Sequence, residues 1–148
     1  MTDATAFTTY LPLFLEHQVA DWLPWYLLVA QCIVESGLRP DAVSPAGAKG
    51  LAQFMDATWS EWGEGDVFDP GDSIQAQAKY LTWLRTVLTD EGRPGIEWAL
   101  AAYCWGIGNV LGVERWDDVP AAVRAYAHDV LAVSARYRDT YATLPLEK

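Results

Sequence analysis

Two cysteines, Cys32 and Cys104, are all that 148 residues contain. That excludes a scaffold stapled by several disulfides, and each lies in an apolar helical stretch, so two buried thiols are the plain expectation. Basic residues are also scarce, 10 Lys and Arg against 20 Asp and Glu, which leaves a net charge of −10. Nucleic acid is therefore not an expected partner, because its binding rests on neutralising phosphates. His17 and His128 stand alone without spaced partners, so neither a metal site nor a cofactor is expected. No apolar run reaches the about 20 residues that cross a bilayer, so no membrane insertion is expected. Met1 to Thr9 has neither a basic n-region nor an apolar h-region, and on that pattern no signal peptide is expected.

What is present fits one folded unit. The chain is 51% hydrophobic with eight Trp, which is ample for a core and too apolar for a disordered chain. No repeat, low-complexity tract or linker divides it, so residues 1–148 are expected to form a single, mainly α domain. Abundant Trp also suits stacking against sugars, although core packing accounts for most of it.

The centre of the pattern is Trp22 to Gly37. From Trp22 to Val34 only Pro24 and Gln31 interrupt the apolar residues, and a helix apolar all round is a buried helix. Asp21 is a candidate cap, Pro24 falls in the first turn, and Gly37 can take the left-handed conformation that ends a helix. Around it, Met1 to Thr8 reads as a loose start and Tyr10 to Val19 as a short helix. Leu38 to Lys49 carries turn chemistry with room for at most a small hairpin. Ala57 to Trp62 suggests a helical turn capped by Asp56, and Asp72-Ser73-Ile74-Gln75 a capping box for a helix to about Thr89. Ile96 to Trp105 reads as a second buried helix, and Pro120 opens the last one, to about Tyr141.

Glu35 sits in the last turn of the central helix, where the helix dipole is already negative. Gln31, one turn earlier, shares its face and makes a narrow polar strip. Burial and the dipole both disfavour the charged form, so a raised pKa is expected, as a general acid requires. A frayed end that lets the side chain reach solvent is the plainer alternative on this residue alone.

The residues that follow add a pattern. Glu35-Ser36-Gly37 leads through Leu38-Arg39-Pro40 and Ser44 to Gly47-Ala48-Lys49-Gly50-Leu51-Ala52-Gln53-Phe54-Met55, and later comes Ala102-Tyr103-Cys104-Trp105-Gly106. This order resembles the catalytic domain of the soluble lytic transglycosylases, within the goose-type lysozyme-like superfamily, over about Trp22 to Tyr137. The resemblance implies a lysozyme-like α+β fold with a reduced β-lobe, and peptidoglycan glycan strands as substrate. It implies Glu35 as the catalytic acid, with Ser44, Gln53, Met55 and Tyr103 binding substrate: Ser44 at an N-acetyl group, Met55 in the cleft wall, and the Tyr103 hydroxyl on Glu35. Ser36 is more simply a structural residue at the helix end. Two departures bear on substrate positioning. Cys104 stands where the family usually has Asn, and Ala122 and Val123 replace a Glu-Thr pair, while Tyr126 remains.

Glycoside hydrolysis usually needs two carboxylates, and only Asp41 and Asp56 flank the motif. The resemblance implies a route that needs one. Glu35 protonates the oxygen between N-acetylmuramic acid and N-acetylglucosamine, then deprotonates the C6 hydroxyl, which closes a 1,6-anhydro ring without water. A lysozyme-type hydrolase and a non-catalytic glycan-binding or virion structural subunit are the competing readings. Without an export signal the expected route to the wall is a phage one, through a holin or on a virion beside other virion proteins, with the isolated domain a monomer.

Overall fold

The computed structural model describes residues 2–19 and 21–142. Among them are seven α-helices: α1 (Asp3–His17), α2 (Trp25–Ser36), α3 (Asp56–Trp62), α4 (Pro70–Asp90), α5 (Ile96–Trp105), α6 (Ile107–Leu111) and α7 (Ala121–Thr140), with a 3-10 turn at Trp116–Asp118. Among the described residues, pairing between extended segments is limited to isolated bridges, Val19 with Leu23, Val43 with Lys49 and Lys49 with Phe54. The expected mainly helical architecture with a vestigial β-lobe is what forms.

The central helix is α2. Leu28, Val29, Ala30, Gln31 and Cys32 are fully shielded, as its all-round apolar pattern requires. It packs chiefly on α7 and α1, while α5 packs between α7 and α4. Gly37 ends it as expected, at φ 63°, ψ 31°, with its N–H on the Cys32 and Ile33 carbonyls. The start differs from expectation. Asp21 does not cap: it lies at φ 72°, and the Trp25 N–H is met by Gln18 Oε1 at 3.0 Å.

Three further helix starts move. α1 begins at Asp3, capped by the Thr2 hydroxyl on the Thr5 N–H, not near Tyr10. Pro12, which normally marks a first turn, lies inside it. α4 begins at Pro70 with Asp69 as cap; Asp72 instead accepts from the Asp66 N–H at 3.0 Å, so Asp72 to Gln75 is no capping box. Asp56 is the first residue of α3, not its cap, and its carboxylate pairs with Lys49 at 3.0 Å. In the expected connection after α5, residues 107–111 form the short helix α6.

The loop of residues 38–55 is the reduced lobe. It turns back on itself through the Ser44 N–H to the Ala48 carbonyl at 2.9 Å and through Lys49 and Phe54, which exchange bonds at 2.9 and 3.0 Å. Gly50 is obligatory there: its φ is 82°, and a Cβ would lie 2.2 Å from the Val67 carbonyl oxygen, closer than any side chain tolerates.

Candidate active site

Glu35 projects from the last turn of α2 and is half-buried. Burial pushes its pKa from an ordinary 4.5 up to about 7, against a hydrogen bond from Tyr126 that lowers it. The expected direction and its main cause are thus present. The carboxyl is poised to exist in both protonation states near neutral pH, the condition for acting as acid and then as base. Among the described residues no second acidic side chain contributes to the shift.

The tyrosine that holds Glu35 is Tyr126 of α7, whose hydroxyl donates to Glu35 Oε2 at 3.0 Å. Tyr103, expected in that role, instead donates to the Ala52 carbonyl at 2.8 Å. It remains close enough for the charge on Glu35 to raise its pKa, after the larger effect of burial. The correction has a simple cause: Tyr103 lies opposite the reduced lobe and is used to pin it. Ser36 does the same from α2, its hydroxyl reaching the Leu51 carbonyl at 2.8 Å and the Cys32 carbonyl at 3.0 Å. Two adjacent carbonyls of the lobe are thereby fixed to the two helices that bear Glu35 and Tyr103.

Within the lobe, Ser44 Oγ accepts the Ala48 N–H at 3.0 Å, which leaves its own hydrogen available to donate. Gln53 takes a left-handed backbone, φ 55°, and spends both Nε2 hydrogens on the Ala42 and Gly50 carbonyls, at 3.2 and 3.0 Å. Its Oε1 is left to accept. Met55 is 45% exposed, so it is surface and not core. Asp41 and Asp56 are exposed. Cys32 is buried, but Cys104 is exposed, and the two are not bonded; the expectation of two buried thiols fails for Cys104. Burial, complete at Cys32 and only partial at Cys104, and after it the charge on Glu35 raise both thiols, so both lie within reach of the same charge.

Gln77 of α4 is the residue that sequence reasoning missed. It is fully buried and donates to Gln31 Oε1 at 2.7 Å, while Gln31 donates to the Tyr126 oxygen at 3.0 Å. The available signal was a glutamine on the apolar stripe of α4, between Ile74 and Leu81. Among the described residues no group of His, Cys, Asp and Glu is placed to hold a metal, and no helix is long and apolar enough to cross a membrane.

Residues 12–128 match the Transglycosylase SLT domain family. A membrane-bound lytic murein transglycosylase F from Pasteurella multocida (strain Pm70) is 39% identical over 113 residues, covering 75% of this chain and 23% of the relative. Another of that name, from Alcanivorax borkumensis, is 32% identical over 141 residues, covering 86% and 30%. The crystal structure of the 70 kDa soluble lytic transglycosylase from Escherichia coli is similar with a TM-score of 0.74 at 26% identity, over 88% of this chain and 24% of that one. The chain therefore spans about a quarter of the length of these relatives.

Proposed function

The chain belongs to the transglycosylase SLT domain family, and from that premise we propose that it cleaves the β-1,4 bond between N-acetylmuramic acid and N-acetylglucosamine in peptidoglycan by a non-hydrolytic route. Glu35 gives its proton to the glycosidic oxygen as the bond to C1 breaks. The substrate's own N-acetyl oxygen shields the developing cation. Glu35, now a carboxylate, takes the proton from the C6 hydroxyl, whose oxygen closes on C1 as a 1,6-anhydro ring. The proton count is restored and no water is consumed.

The observation that carries this reading is a single half-buried carboxyl with a pKa of about 7, raised by burial and not by a carboxylate neighbour. A two-carboxylate hydrolase would need a second acid across the bond. Asp56 is instead paired to Lys49 at 3.0 Å, and Asp41 is an exposed loop residue. In this reading Ser44 donates its hydroxyl hydrogen to the N-acetyl oxygen, Gln53 accepts on Oε1 from the glycan, and Met55 lends an apolar rim. Tyr103 accepts on its hydroxyl oxygen while holding the lobe in place. Loss of turbidity of chloroform-treated Gram-negative cells tests the assignment. Wild type should clear them and Glu35→Gln should not; equal clearing by both would sink it.

The site of action in this reading is the cell wall. A net charge of −10 opposes diffusion onto an anionic polymer, which favours a partner that positions the chain at the wall, such as the virion expected above. Mass spectrometry of purified virions would find the chain if it is particle-borne and miss it if it is released at lysis.

A further inference from the structure

Behind Glu35 runs a series of side chains that the reaction as drawn does not use. Gln31 and Gln77 are both fully shielded from solvent, where an amide is unfavourable unless every polar atom is met. The direction of each bond follows from the far end. A backbone carbonyl only accepts, so the Leu28 carbonyl selects Nε2 of Gln77, at 3.1 Å. Gln77 Oε1 then faces Cys32, whose thiol donates at 3.5 Å. The second Nε2 hydrogen of Gln77 goes to Gln31 Oε1 at 2.7 Å. Gln31 must therefore present its own Nε2 to the Tyr126 oxygen, at 3.0 Å. With that oxygen accepting, the Tyr126 hydrogen turns to Glu35 Oε2, at 3.0 Å. All these bonds from Gln77 onward run toward Glu35, and each polarises the next.

We propose that Gln31 and Gln77 are positioning residues that hold Tyr126 as a one-way donor to Glu35 Oε2, so that the acid's proton resides on Oε1. This rests on the reading of Glu35 as the acid. A Tyr126 hydroxyl free to turn could instead accept the carboxyl proton and withdraw it from the glycosidic oxygen. Among the described residues the titratable groups that feel Glu35 are Cys32 on α2, Tyr103 and Cys104 on α5, and Tyr126 on α7. All four are raised by burial and neutral near pH 7, so none supplies a cation to favour the carboxylate. Opposing the burial of Glu35 falls to the bond from Tyr126 and to whatever orients it.

The test is the titration of Glu35 by carbon-13 NMR of its side-chain carboxyl, beside the pH dependence of peptidoglycan solubilisation. Gln31→Met removes the donor to Tyr126 at similar side-chain length. The paired change Gln31→Met with Gln77→Met also leaves no orphaned amide, and it carries the test if the single variant does not fold. The expected result is an upward move of the Glu35 midpoint by about half a pH unit, roughly a threefold change in the proton equilibrium. Turnover should fall several-fold with KM unchanged. In a Tyr126→Phe background the same substitutions should leave the midpoint where it is. A midpoint unmoved by either change overturns the proposal, as does a move of equal size in the Tyr126→Phe background. If Glu35→Gln remains active while the midpoint still moves through Tyr126, the assignment of the acid fails and the relay stands.

Discussion

Replacing Glu35 by Gln should stabilise the protein, by an amount that grows with pH. In the folded chain Glu35 holds its proton up to about pH 7, against about 4.5 when unfolded. Between those values the folded state binds more protons than the unfolded state, so the contribution of this group to stability falls as pH rises. It is intact below about 4.5 and lost as pH climbs through about 7. A gap of about 2.5 in pKa, at 1.36 kcal/mol per unit, puts the full cost of ionising Glu35 at about 3 kcal/mol. Nearly all of that is expressed at about pH 8 and less than about 1 kcal/mol at about pH 5. Solvent reaching the half-buried side chain screens part of it. We therefore expect the stability advantage of Glu35→Gln to grow by about 2 kcal/mol between those two conditions, or about 4–8 °C in Tm. Groups that do not feel Glu35 cancel in the difference, and the four that do, Cys32, Tyr103, Cys104 and Tyr126, are raised by burial and stay neutral at both conditions. Thermal or urea unfolding of the two proteins at each pH reads it directly. An advantage that does not change with pH would refute a burial-raised Glu35.

Three further outcomes follow from named contacts. Tyr126→Phe removes the bond that opposes burial, so the alkaline limb of the pH–activity profile should move up by about one unit, since a hydrogen bond to a charged group contributes roughly 1.5–3 kcal/mol before compensation; an unmoved limb would show that Tyr126 does not bear on the ionisation of Glu35. Ser36→Ala leaves the Leu51 carbonyl without its hydroxyl partner, which should cost about 1–3 kcal/mol in urea unfolding; a neutral substitution would mean that the lobe is held elsewhere. An aromatic disulfide reagent should titrate one thiol, Cys104, in the native protein and Cys32 only on unfolding, because only Cys104 is exposed; two thiols reacting together would contradict the burial of α2.

The central helix was legible because its signal is local: a run that is apolar nearly all round needs no partner to declare itself buried. Glu35 needed more than that: one carboxyl at the wrong end of such a helix left a frayed end as the plainer alternative, and the motif order that follows it singled it out. Helix starts were read less well. The pattern Asp72 to Gln75 satisfied a capping rule, yet Asp69 and Pro70, three residues earlier, offered an equally good start, and the Asp66 turn claimed the Asp72 carboxylate. Residues 3–8 of α1 were read as a loose start although Thr2 supplies the cap. The partners of the site were the hardest part. Tyr126 and Gln77 reach the Glu35 face from α7 and α4, 91 residues after it and 42 after it. Which of two tyrosines meets a carboxyl depends on how helices pack, and the preference for Tyr103 came from motif resemblance alone. Cys104 was misjudged because α5 is apolar nearly throughout, while the end that bears it is open to solvent.

The central claim, one carboxyl acting as acid and then base without water, is tested most directly by mass spectrometry of the muropeptides that the protein releases from purified peptidoglycan. The account predicts products carrying 1,6-anhydro ends, each lighter by one water than the hydrolysis product, and none from Glu35→Gln. Reducing ends from the wild-type protein would contradict it, because water would then be the nucleophile.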